Sequence, residues 1–67
     1  MKHKVGDTVT IRKDLKIYTL YDRCLMCLDM MQYTGYTTEI AEVHNGFYTL
    51  NIDEEFNDWT DEMLESV

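Results

Sequence analysis

The chain has 67 residues and a mass of 8.0 kDa, with 13 Asp+Glu against 6 Lys+Arg, a formal charge of −7 and a pI near 4.5. One small domain (1–67) fits that length; a two-domain enzyme or a dinucleotide-binding fold does not. The acidic balance argues against direct nucleic-acid binding, which needs clustered Lys and Arg, while 45% hydrophobic and 12% aromatic residues suffice for a compact core.

No stretch approaches the roughly 20 apolar residues of a membrane span. The segment from Met1 to Asp7 lacks the apolar run of a signal peptide. The expected location is therefore cytoplasmic. Two cysteines, Cys24 and Cys27, are too few for a disulfide framework.

In chain order, Val5 to Ile11 reads as a strand, with Val5, Asp7, Val9 and Ile11 on one face and Gly6, Thr8 and Thr10 on the other. Arg12 to Leu15 breaks the alternation and forms a turn. Ile17, Tyr18, Leu20 and Tyr21 make an apolar patch. Asp22 to Tyr33 is the expected helix, capped by Asp22 and apolar around most of its circumference, so that it is either buried or turned to a partner. Thr34-Gly35 ends it. Tyr36 to Val43 is a second strand, and Asn45-Gly46 signals a hairpin into a third, Phe47 to Ile52, with Tyr48, Leu50 and Ile52 inward. An acidic loop, Asp53 to Trp59, follows, with room for a short edge strand at Trp59. Thr60-Asp61-Glu62 opens a last helical turn. The fold class is mainly β, α+β in composition, with one inserted helix.

Charge is divided by position. All six cations lie within the first 23 residues against Asp7, Asp14 and Asp22, a balance of +3. From Cys24 onward there are ten acids and no Lys or Arg, a balance of −10. This division either makes two electrostatic poles or is interleaved by the fold.

Several stretches resemble a family of small phage, prophage and Firmicutes proteins. They are Lys4 through Arg12 with Asp14-Leu15, Met31 through Tyr33 with Gly35, Ile40 with Val43, Tyr48 with Leu50, and Trp59 through Glu65. The resemblance implies an SH3-like β-barrel of three to five strands with an inserted helix near 22–33 and a short C-terminal helical turn. It implies no catalytic motif. The chain departs from the pattern at Cys24 to Met30, which is unusually apolar. Some small acidic phage proteins, anti-CRISPR proteins among them, disable host defence by presenting carboxylates where a nuclease expects phosphates. Origin and charge make the analogy.

The expected activity is non-catalytic binding of a basic, nucleic-acid-handling host defence protein, without cofactor or metal. The expected contact set is Asp53, Glu54, Glu55, Phe56, Asp58, Trp59, Asp61 and Glu62: acids that select a basic target around aromatic anchors. Trp59 equally suits the last plug of the core. Self-association through the apolar helix, with Leu25, Met26 or Met30 at the contact, is the alternative. A Cys/His metal site is the minor alternative: Cys24 and Cys27 have C-x-x-C spacing with His3 and His44 as further ligands, but zinc needs about four ligands in a tetrahedral shell and no second such pair follows, so both thiols read first as packing residues. His44 is expected in solvent beside its hairpin, and His3 in a frayed end. Tyr18, Tyr21, Tyr33, Tyr36 and Tyr48 read as ordinary sheet packing.

Overall fold

A computed structural model describes residues 2–67. β1 (Thr8–Ile11) pairs antiparallel on one side with β4 (Thr37–Val43) and on the other with β6 (Leu64–Ser66); β4 pairs in turn with β5 (Tyr48–Leu50). The sheet order is β5-β4-β1-β6, and a two-stranded sheet of β2 (Leu20–Tyr21) and β3 (Cys24–Leu25) stands beside it. The chain is thus mostly β, six strands in two antiparallel sheets with little helix, and neither sheet closes on itself. Trp59 makes an isolated antiparallel bridge to Tyr48, extending the β5 edge where the sequence leaves room for a short strand.

β1 and β4 form where β-branched residues are concentrated along the chain. In β1, Val9 and Ile11 are fully buried, while Thr10 turns outward and bonds Thr37 across the ladder, Oγ1 to Oγ1 at 3.1 Å. Val5 is not part of this strand: it lies exposed in a turn closed by Asp7 N–H to the Lys4 carbonyl at 3.0 Å. A register shift between Ile40 and Glu42 bulges β4. In β5 all three residues are buried, Thr49 included, rather than only Tyr48 and Leu50. The core joins these strands to Leu15, Met26, Met30, Trp59, Met63 and Leu64.

The helix expected over Asp22 to Tyr33 is absent. Asp22 and Arg23, at φ 49° and 74°, form the two-residue turn of the β2–β3 hairpin, with Tyr21 opposite Cys24. Helical structure is confined to a 3-10 segment, Leu28–Tyr33. Met26 and Met30 enter the core, while Leu25 and Leu28 remain exposed. Of the residues expected at a self-association contact, Met26 is fully buried and Met30 is 2% exposed at the floor of a groove, while Leu25 lies open at the surface. Gly35 follows at φ 85° and donates to the Ile11 carbonyl at 2.7 Å.

The Asn45-Gly46 hairpin forms as expected, with His44 N–H donating to the Phe47 carbonyl at 2.8 Å and Gly46 at φ 98°. The last helical turn is a 3-10 segment, Asp61–Met63. Thr60 precedes it without capping it, its hydroxyl donating instead to the Tyr21 carbonyl at 3.1 Å. β6, which sequence periodicity did not reveal, returns the chain to the side of β1. No helix among the described residues is long and apolar enough to cross a membrane.

Candidate functional site: an acid-rimmed groove beside Phe56

After β5 the chain turns sharply. Glu54 N–H donates to the Asn51 carbonyl, Glu55 N–H to the Leu50 carbonyl and Phe56 N–H to the Asp53 carbonyl, at 3.0–3.1 Å. Glu54 and Glu55 both take left-handed φ, 54° and 65°, a conformation costing a residue with a Cβ roughly 1–2 kcal/mol. Asp53 holds the turn from inside. Its Oδ2 accepts from Asn57 N–H at 3.0 Å, Asn57 Nδ2 at 2.9 Å and Trp59 Nε1 at 3.1 Å, while Oδ1 is buried with no partner. Asn57 Nδ2 also donates to Asp29 Oδ2 at 2.9 Å, tying the loop to the 3-10 segment.

This geometry divides the eight expected contact residues. Trp59 is fully buried and Asp53 is 6% exposed. Both are withdrawn from any partner-facing role: the indole is a plug of the core and the carboxylate is its hydrogen-bond acceptor. Asp61 and Glu62 belong to another face. Asp61 Oδ1 accepts from the Tyr48 hydroxyl at 2.5 Å, and Glu62 Oε1 from Asp22 N–H at 2.7 Å. Together they line a groove with Lys2, Arg12 and Lys13, where Arg12 Nη1 donates to the Glu62 carbonyl at 2.9 Å. Glu54, Glu55, Phe56 and Asp58 remain outward, Phe56 being 78% exposed.

Phe56, Asn57 and Asp58 form one wall of a second groove, opposite Arg23, Leu25, Cys24, Cys27 and Met30. The Cys24 thiol in this groove is pushed up by burial first and then by Asp58 and Asp22. The Tyr33 phenol, outside the groove and packed edge-on against Trp59, is pushed up by burial, then by Asp29, Asp53 and Glu54. Ion pairs among the described residues are confined to Arg12–Asp14 at 2.8 Å and Glu42–His44 at 3.3 Å, and neither belongs to this groove. The Arg12 guanidinium holds the Asp14 carboxyl below its ordinary range.

The remaining sequence candidates fall elsewhere. His3 is not frayed: it is 9% exposed, its N–H donates to the Tyr48 hydroxyl at 3.0 Å, and its ring packs against the Tyr48 ring. His44 is half-buried and stacks on Phe47 with ring centroids 4.6 Å apart. No group of three or more His, Cys, Asp or Glu able to hold a metal ion occurs among the described residues. The groove itself escaped sequence reasoning, because Cys24 and Cys27 were assigned to a buried helix face. Strand alternation would have set Cys24 apart from Leu25 but says nothing of Cys27, which lies beyond β3. Comparison of the chain with family models, curated proteins and solved structures yields no match.

Proposed function

We propose that the chain is a non-catalytic binding module that engages a basic protein surface through this groove. Phe56 is the anchor, and Asp29, Glu54, Glu55 and Asp58 supply the charge. The phage resemblance sets the partner as a nucleic-acid-handling host defence protein, whose phosphate-binding cations the carboxylates would occupy. The fold is read as SH3-like: the meander brings its last strand back beside its first, and Trp59 continues the opposite edge.

One observation carries the reading. A phenylalanine left 78% exposed is presented by a loop that holds two left-handed glutamates and a buried aspartate to keep its shape. Strain retained around an exposed aromatic favours a contact surface over a passive turn. The acids raise the association rate and select basic targets.

The test titrates a Lys/Arg-rich peptide carrying one aromatic residue into isotope-labelled protein. Shifts should centre on residues 54–58 and 24–30 and weaken as ionic strength passes about 0.1 M, where screening falls to about 10 Å. Glu54→Lys/Glu55→Lys/Asp58→Lys should abolish them with the fold intact. Binding that survives this reversal, or maps to the Lys2–Arg12 groove, overturns the proposal. A second reading, self-association, rests on Tyr18, Leu20, Leu25 and Leu28, all exposed, with Leu20 directly opposite Leu25. Sedimentation across concentrations separates the two, because a dimer through these residues persists at high salt.

A further inference from the structure

The floor of the same groove carries sulfur. Cys24 and Cys27 are free, half-buried thiols, and both line it together with Met30. Cys27 N–H donates to the Met30 Sδ at 3.4 Å, which brings the thioether to the residue that bears the second thiol. Cys27 Sγ itself has only a long contact, 3.6 Å, to the Leu25 carbonyl. Asp58 and Arg23 stand at the same groove, so its walls carry one acid and one cation around the sulfur atoms.

We propose that Cys24, Cys27 and Met30 form a site for a soft monovalent cation, Cu(I) or its analogue Ag(I). Ligand chemistry makes the choice. Thiolate and thioether donors select Cu(I) among biological metals, and two thiolates with one thioether satisfy its low coordination number. Zinc needs about four harder or thiolate donors in a tetrahedron, which the groove does not offer. Binding is a ligand exchange without redox: two S–H bonds give way to two S–Cu bonds, and two protons leave to solvent. The site does not depend on the partner proposed above, because its donors are sulfur atoms and its readout requires no protein partner.

The test is competition for Cu(I) against a chromophoric chelator under anaerobic conditions, with Ag(I) titration followed by native mass spectrometry. One metal per chain is expected. Cys24→Ser and Cys27→Ser should each lower the affinity by more than the about 10–100-fold lost when a mere supporting residue of a metal site is removed. Met30→Leu conserves volume and should lower it by about tenfold. In the unsubstituted protein, Ag(I) should move the Met30 methyl resonance and leave those of the buried Met26 and Met63, which do not line the groove, in place, so the outcome does not hang on a variant folding. Failure to compete, more than one metal per chain with no effect of either serine, or an unmoved Met30 methyl overturns the proposal.

Discussion

The internal acceptor of the loop gives the sharpest prediction. Asp53→Ala removes one oxygen that takes three N–H bonds, from Asn57 N, Asn57 Nδ2 and Trp59 Nε1. The indole N–H is the costly one. Trp59 has no exposed surface, so its donor would be left buried and unpaired at about 1–3 kcal/mol. The two Asn57 donors are only half-buried and can turn to water, costing about 0.5–1.5 kcal/mol together. Against this stands a gain, because Asp53 Oδ1 is already buried without a partner and its removal returns part of that penalty. The net loss is about 1–3 kcal/mol. A chain of 67 residues has a stability of roughly 3–10 kcal/mol in all, so the variant sits close to unfolding.

Asp53→Asn separates the hydrogen bonds from the bulk of the side chain. Its amide oxygen keeps the acceptor position, and its amide nitrogen replaces the unpaired Oδ1, one unsatisfied atom for another. The loss should be about 1 kcal/mol, from weaker acceptance by a neutral oxygen. Urea unfolding followed by the single tryptophan and, independently, by far-UV circular dichroism reads both values. An alanine variant within about 1 kcal/mol of the parent, or an asparagine variant as damaged as alanine, refutes the assignment of Asp53 as the loop's acceptor.

Two further expectations follow from local geometry. The Tyr48 phenol is held above its ordinary value by burial and then by its bond to Asp61. A folded value above the unfolded one means that this contribution is complete below about pH 10 and is lost as pH rises through the folded value. Melting temperature should therefore fall on the alkaline side, and Tyr48→Phe should flatten that limb; an unchanged slope counts against the coupling. Asp22→Asn/Arg23→Gly puts the favoured type I′ pair where both residues already take positive φ. It should stabilise the hairpin by about 1 kcal/mol in a thermal melt; a lower melting temperature would count against the turn.

The strands of the main sheet were legible because their alternation and the Asn45-Gly46 turn act locally. β1, β4 and β5 lie within the segments that sequence reasoning marked. The helix lost to a hairpin. Leu25, Leu28 and Gln32 fall on one helical line, yet Cys24, Leu25 and Met26 also alternate as a strand, and the pairing of Cys24-Leu25 with Leu20-Tyr21 across the Asp22-Arg23 turn settles the first half of the segment as a hairpin. Asp22-Arg23 concealed the hairpin because neither residue favours a left-handed conformation as Asn-Gly does. β6 was hidden by the opposite problem: three residues are too few to show a period, and the pairing with β1 exists only once the chain has closed around the core. The burial of Trp59 was legible as one of two readings; that its indole N–H would enlist Asp53, and so remove an acid from the surface, was not.

The division of charge along the chain has a different fate from the one its linear order suggests. β1, from the cationic third, lies between β4 and β6, and its residues stand opposite Glu39 and Glu65 in the ladders. The β1 residues facing those glutamates are the uncharged Thr8 and Thr10, so opposite charges meet instead in the groove where Asp61 and Glu62 lie with Lys2, Arg12 and Lys13. Beside Phe56, Glu54, Glu55 and Asp58 stand together on one loop, with Arg23 as the cation across the groove. A mechanism that runs on net charge and one that runs on this patch then part company. Glu39→Lys/Glu42→Lys/Glu65→Lys alters the net charge by the same amount as Glu54→Lys/Glu55→Lys/Asp58→Lys, at positions outside the Phe56 loop. If the patch governs binding of the basic peptide, the sheet variant should lose only the modest long-range part, within about tenfold at 0.15 M salt, where screening acts over about 8 Å. The loop variant should lose binding altogether. Equal losses in the two would mean that the shape of the loop is irrelevant and that only the total charge is being read.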